Sequence, residues 1–154
     1  GVTNGTDATH FSPDKDCTRG QVVTFLWRAN GSPEPKSTEN PFVDVPEDAY
    51  YYKAVLWAVE NGVTNGMSAT KFAPDATCTR GQVVTFMYRA AGSPPTSIET
   101  NPFGDVGPDA YYYNPVLWAV EMGITNGTSA TAFSPDSTCT RGQIVTFLYR
   151  GLAK

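Results

Sequence analysis

The sequence predicts an all-α fold of tandem helix-loop-helix units repeated every 61 residues. Two observations set the period and a third sets the class. GVTNG at Gly1 and Gly62 is followed by GITNG at Gly123, and CTRGQ recurs at Cys17, Cys78 and Cys139 with the same 61-residue spacing. Each full period holds two stretches with helical apolar spacing, separated by turn sequences rich in Gly, Pro, Ser and Asp.

The elements follow in order. In CTRGQ, Thr18, Thr79 and Thr140 each stand three residues before a glutamine, at Gln21, Gln82 and Gln143, which is a capping box opening a helix. The cysteine before each threonine falls at a hydrophobic-staple position, opposite Val22, Val83 or Ile144. The helix continues as QVVTFLWRA, QVVTFMYRA or QIVTFLYRG, and Gly31 and Gly92 close the first two copies. Linkers rich in Pro, Ser and Thr span 32–41 and 93–102. FVDV and FGDV form turns at Phe42 and Phe103, and a second helical pattern starts at Ala49 and Ala110. Pro115 falls early in the later copy, where a first-turn proline is tolerated. Gly62 and Gly123, each followed by an apolar residue, predict Schellman caps. FSPD and FAPD then make the turns before the next CTRGQ.

The units divide as residues 1–39 (the second half of unit one), 40–100 and 101–154. This gives five helices. Gly1 corresponds to the residue just past a helix, so the first unit lacks its partner helix. The expectation is a fragment, or an apolar face covered by another molecule, with self-association through the truncated first repeat.

Composition narrows the function. The 154 residues carry a net charge of −4, and the pI is about 4.8. A nucleic-acid binder would be basic. No apolar run is long enough for a membrane span. Three cysteines and one histidine show neither CxxC nor HxxxH spacing, so a zinc site of neighbouring ligands is not expected. GxSxG, HExxH and P-loop motifs are absent, and the sequence predicts no catalytic residues and no cofactor.

The ordered set FVDV/FGDV, VLWAVENGVTNG/VLWAVEMGITNG, FSPD/FAPD and CTRGQ resembles the S-layer homology (SLH) family over essentially the whole chain. The resemblance implies a pseudo-threefold helical assembly whose grooves bind a secondary cell-wall polysaccharide, often pyruvylated. It further implies a non-catalytic module at the bacterial cell surface, in the cell wall or S-layer. A protein-interaction module and an appendage of a surface enzyme are the alternatives. The family's ligand-contacting arginine, in a TRAE-type motif, corresponds to Arg19, Arg80 and Arg141. Here TRAE reads TRGQ, so a negative charge is lost.

The residues themselves point the same way. A cation at the first position of a helix is disfavoured, by about 0.3–1 kcal/mol, and calls for an anion. Helix N–H groups, a guanidinium and a neighbouring glycine suit a carboxylate or phosphate. The arginine therefore sits in a groove, partly exposed, near a ligand anion or near Asp44 or Asp105 of the chain itself. Trp57 and Trp118 lie off the main apolar stripe, and core packing is favoured over stacking on a sugar. Tyr50–Tyr52 and Tyr111–Tyr113 divide between core and groove. Gly66 and Gly127 serve a tight turn, with Thr64 and Asn65 beside a sugar as the alternative. His10 is a solvated loop residue. The cysteines are buried apolar residues, isoleucine being usual there in similar proteins. A metal site built from all three cysteines is disfavoured because staple positions should lie apart.

Overall fold

A computed structural model of the chain describes residues 1–152. Among the described residues five helices form, α1 (Arg19–Ala29), α2 (Tyr52–Glu60), α3 (Arg80–Ala90), α4 (Tyr113–Glu121) and α5 (Arg141–Leu152). All three capping boxes are made. The Thr18 and Thr79 side chains accept from Gln21 and Gln82, and Thr140 Oγ1 accepts from the Gln143 N–H at 3.3 Å. Schellman caps end α2 and α4: the Val63 and Ile124 N–H groups reach back to the Ala58 and Ala119 carbonyls at 2.8 Å, through Gly62 at φ +68° and Gly123 at φ +69°. α2 and α4 start at Tyr52 and Tyr113, later than the apolar pattern suggests. Ala49 and Tyr52 make turn bonds, the Ala49 N–H to Pro46 O at 3.1 Å and the Tyr52 N–H to Ala49 O at 3.0 Å, which use up the preceding residues.

Helices pair across the linkers. α2 packs on α1 and α4 on α3, so the first two helices opened by TRGQ are each covered by the first helix of the following unit. The linkers are tied back to these pairs: Glu60 accepts from the Lys36 N–H at 2.8 Å, and Glu121 from the Ser97 N–H at 3.1 Å.

The three TRGQ segments meet at a pseudo-threefold axis. The Cys17 N–H donates to Cys139 O at 2.9 Å, Cys78 to Cys17 O at 2.9 Å and Cys139 to Cys78 O at 3.1 Å. This closed ring corrects the expectation that the cysteines lie apart, because each staple residue is also a link in the ring. All three are fully buried and carry no disulfide, and no cluster suited to a metal ion forms among the described residues. Burial pushes the Cys17 thiol up to about 11 and Cys139 to about 12, so the thiols stay protonated, apolar packing groups. Isolated bridges (Asp16 with Thr140, Thr18 with Thr77, Thr79 with Thr138) flank the ring, and no longer strand forms among the described residues.

A second ring lies outside the first. The N–H groups of Arg19 and Gly20 donate to Ala76 O (2.8 Å) and Pro74 O (2.9 Å), those of Arg80 and Gly81 to Ser137 O and Pro135 O, and those of Arg141 and Gly142 to Lys15 O and Pro13 O. Each helix start is thus sealed by the loop of the next unit, and the third closes back on the first.

Candidate functional site

That seal decides what the arginines do. The first backbone N–H groups of the helices are occupied, so the helix starts present no open anion site, contrary to the expectation. The arginines are also more buried than expected, at 3, 4 and 3% exposure for Arg19, Arg80 and Arg141. Each Nε donates at 2.9 Å to the carbonyl of a phenylalanine in the adjoining loop: Phe72, Phe133 and Phe11 respectively. Each guanidinium also lies between two rings. Arg19 Cζ is 4.8 Å from the Phe72 centroid and 5.3 Å from Phe86. A carbonyl dipole and two aromatic faces offset the unfavourable placement at the helix start. Burial draws the Arg19 and Arg80 pKa values below the ordinary arginine value, yet a guanidinium stays charged.

Asp44 and Asp105 do not ion-pair with these arginines. Asp44 Oδ1 and Oδ2 accept from the Phe72 and Ala73 N–H groups at 2.9 and 2.8 Å, and Asp105 takes the same bonds from Phe133 and Ser134. Ala73 and Ser134 hold φ of +58° and +59°, a left-handed conformation costly for residues with a Cβ. The aspartate clamps that strained turn and thereby aims the Phe72 or Phe133 carbonyl at the arginine. Burial raises the Asp105 pKa, but the Phe133 and Ser134 N–H groups and the Arg80 charge outweigh it and leave the carboxyl below its ordinary value.

The outer edges of the Arg19 and Arg141 guanidinium groups each face a cleft. Arg19 Nη1 and Nη2 form no hydrogen bond within the described residues, and no buried side-chain nitrogen or oxygen lacks a partner. These nitrogens therefore reach the cleft solvent. The cleft at Arg19 is about 270 Å³ and is lined also by Thr64, Gly66, Gln82, Phe86, Arg89 and Tyr111. Its counterpart at Arg141 is about 340 Å³, with Thr3, Gly5, Gln21, Phe25, Arg28 and Tyr50 in the matching places and Lys15 added. The third surface, around Gln143, Thr146, Phe147 and Arg150, includes Asp14 and has no tyrosine wall.

The remaining expected residues sort clearly. Trp57 and Trp118 are 6% exposed and belong to the core, Trp118 meeting Tyr88 edge-on at 5.7 Å, so neither offers a face to a sugar. Gly66 and Gly127 (φ +83° and +86°) make tight turns, where a Cβ would stand 2.5 Å from Phe42 or Phe103; Gly66 also lines its cleft. The glycine of TRGQ admits protein rather than ligand: a Cβ on Gly20 or Gly81 would meet Tyr51 or Tyr112 Cδ1 at 3.0 Å. Tyr50 and Tyr111, more than half exposed, take the groove role. His10 is exposed and bonds Asp7 at 2.9 Å.

Sequence reasoning missed Arg28, Arg89 and Arg150. Each donates to a carbonyl at the end of its cleft or surface, Arg28 to Val2 O, Arg89 to Val63 O at 3.4 Å and Arg150 to Ile124 O at 3.1 Å. Their signal was present, an arginine nine positions after each TRGQ arginine. A basic residue in a last helical turn reads as a dipole partner, which hid it.

Comparison with known proteins agrees with this architecture. The model of the S-layer homology domain matches residues 41–84 and 102–145. A cell surface protein of Thermoanaerobacter kivui is 31% identical over 116 residues, 73% of this chain and 15% of that protein. The surface-layer 125 kDa protein of Lysinibacillus sphaericus is 33% identical over 130 residues, 82% of this chain and 10% of its own length. An endoglucanase of Bacillus sp. (strain KSM-635) is 37% identical over 89 residues, 58% of this chain and 9% of that enzyme. The chain therefore spans less than a fifth of the length of each of these relatives. With the matched repeats placed on two successive helical units around one axis, the chain belongs to the S-layer homology family.

Proposed function

We propose that this chain is a non-catalytic anchoring module that holds a protein at the bacterial cell surface by gripping an anionic, pyruvylated secondary cell-wall polysaccharide. The observation that carries this reading is charge placement. In a protein of net charge −4, the Arg19 cleft is lined by two arginines and no acid, and the Arg141 cleft by two arginines, a lysine and no acid. Such clefts favour an anion locally against the overall field. Each combines planar guanidinium donors for a carboxylate with threonine and glutamine side chains and a tyrosine ring for a sugar. Arg19 and Arg141 supply the inner donors, Arg89 and Arg28 the outer ones, and Asp44 supports Arg19 from behind. Arg80 makes the same Nε bond to a phenylalanine carbonyl, with Asp105 behind it, and its guanidinium lies 5.4 Å from the Phe147 ring that lines the more open third surface.

The surface-layer and cell-surface names of the relatives support the location, and the endoglucanase among them fits an anchor attached to an enzyme. The test is retention on purified cell walls before and after chemical removal of the secondary polymer. The expected result is saturable, salt-weakened binding to intact walls that disappears with the polymer. Equal binding to stripped walls would sink the reading and favour a protein partner.

A further inference from the structure

The Arg19 and Arg141 clefts share one plan, and three differences separate them. The first is Lys15, which lines the Arg141 cleft; the equivalent residue beside Arg19 is Ala76. Both hold a helix start through the backbone, the Lys15 and Ala76 carbonyls accepting from the Arg141 and Arg19 N–H groups at 2.9 and 2.8 Å, so the exchange alters the side chain alone. Lys15 forms no ion pair among the described residues. The second is Thr6, replaced by Met67. Gln82 Nε2 lies 3.9 Å from the Met67 sulfur, while Gln21, whose Oε1 accepts from the Thr18 N–H, makes no hydrogen bond through Nε2 among the described residues. The third is in the arginines. Arg141 Nη2 donates to Thr3 Oγ1 at 3.2 Å, which uses one arm of its fork, whereas Arg19 makes no such bond to Thr64 and keeps both Nη groups.

We propose that the Arg141 cleft is a subsite for a phosphorylated sugar, and that Lys15 sets its preference for phosphate over carboxylate. The inference rests on the reading of both clefts as anion sites. A phosphomonoester carries about −1.5 to −2 charge at neutral pH and spreads it over three oxygens. A carboxylate carries a single charge on two coplanar oxygens, the shape that a free guanidinium fork matches. Arg19 offers that fork. The Arg141 cleft offers separate donors from several residues instead: Arg141 Nη1, Arg28, the Gln21 amide and the Lys15 ammonium, a compact point charge on a flexible stem. Three cations against two, with no acid lining either cleft, raise the local preference for the more highly charged group. Tyr50, more than half exposed on the cleft wall, supplies a face for the sugar ring.

Glucose 6-phosphate and glucuronate test this, because they carry a phosphate or a carboxylate at position six of the same ring. Titrations of the intact chain, followed through the Gly5 and Gly66 amide signals, report the Arg141 and Arg19 clefts separately. The expected result is that glucose 6-phosphate binds the Arg141 cleft about tenfold or more tightly than glucuronate does. Lys15→Ala should remove that advantage without altering glucuronate binding at the Arg19 cleft, and Ala76→Lys should confer it on the Arg19 cleft. Both exchanged residues are exposed, and the amide spectrum reports directly that the variants fold. Inorganic phosphate should bind the Arg141 cleft more weakly than the sugar phosphate; equal affinity would make the site one for free phosphate and overturn the assignment. Equal affinity of the two sugars at the Arg141 cleft, or a preference that survives Lys15→Ala, would overturn it while leaving the anchoring reading intact. Signals unmoved by either sugar at either cleft would overturn both.

Discussion

α3 and α5 open with the same TRGQ box and carry nearly the same side chains, yet they live in different surroundings. α3 lies under α4, with Val84, Thr85 and Tyr88 wholly or partly withdrawn from water, while Val145, Thr146 and Tyr149 of α5 face it. The first turns are alike, with the Thr79–Gln82 and Thr140–Gln143 boxes both made. Local sequence thus fixes where a helix begins, and the neighbour decides which of its residues carry stability. The difference yields paired predictions in which one substitution is costly in α3 or its partner and cheap in α5.

The largest effect is expected at the aromatic pair. Trp118→Ala removes a buried ring and should cost about 3–5 kcal/mol. Tyr149→Ala removes an exposed ring and should stay within about 0.5 kcal/mol of the parent. Urea titrations of the two variants measure both. Comparable losses would mean that α5 is covered in solution.

A smaller contrast is expected at the box glycine. A Cβ on Gly81 meets the Tyr112 ring at 3.0 Å and the Pro135 carbonyl oxygen at 3.2 Å, whereas on Gly142 it meets only Pro13, at 3.1 Å. Gly81→Ala should destabilise by about 1–3 kcal/mol through overpacking. Gly142→Ala should be closer to neutral, its contact cost offset by alanine's better helix propensity. Thermal melts of the two variants would rank them, and equal losses would remove the tyrosine from the explanation.

The smallest effect concerns the loop clamps. Asp105→Asn leaves one of the Phe133 and Ser134 N–H groups facing an amide instead of a carboxylate, and should cost about 1 kcal/mol at neutral pH. The sign of the pH dependence follows from the depressed pKa: the carboxylate's contribution is present above the unfolded value near 4 and fades as pH falls through the lower folded value. Parent and variant should therefore converge in stability in acid. A gap that stays constant down to about pH 2 would show that the clamp works without its charge.

The helices, caps and repeat were legible because each has a local cause: Thr18 with Gln21, Gly62 before Val63, and the 61-residue spacing. The axis was legible only through resemblance, and the cysteine ring not at all, since nothing local says that Cys17, Cys78 and Cys139 hydrogen-bond one another across 61 and 122 residues. The arginine site was half legible. An unfavourable cation at a helix start showed that something must offset it, but the offset is a phenylalanine carbonyl and two rings from adjoining units, with the aspartate one step behind. Trp57 and Trp118 lie in the core, the favoured one of their two readings, because α2 and α4 bury more than their central stripe. Arg28 and Arg89 escaped notice because only folding brings the end of one helix beside the start of another.

Those two arginines give the most direct test of the binding account, because they line the clefts without the core role of Arg19 and Arg141. The measurement is a binding isotherm of purified anionic wall polymer against the parent chain and the Arg28→Gln/Arg89→Gln double variant, with circular dichroism melts alongside. The account predicts similar melts and an affinity at least about tenfold weaker, the scale of one lost charge-assisted contact per cleft. Equal affinity for the two proteins would contradict it and move the polymer away from both clefts.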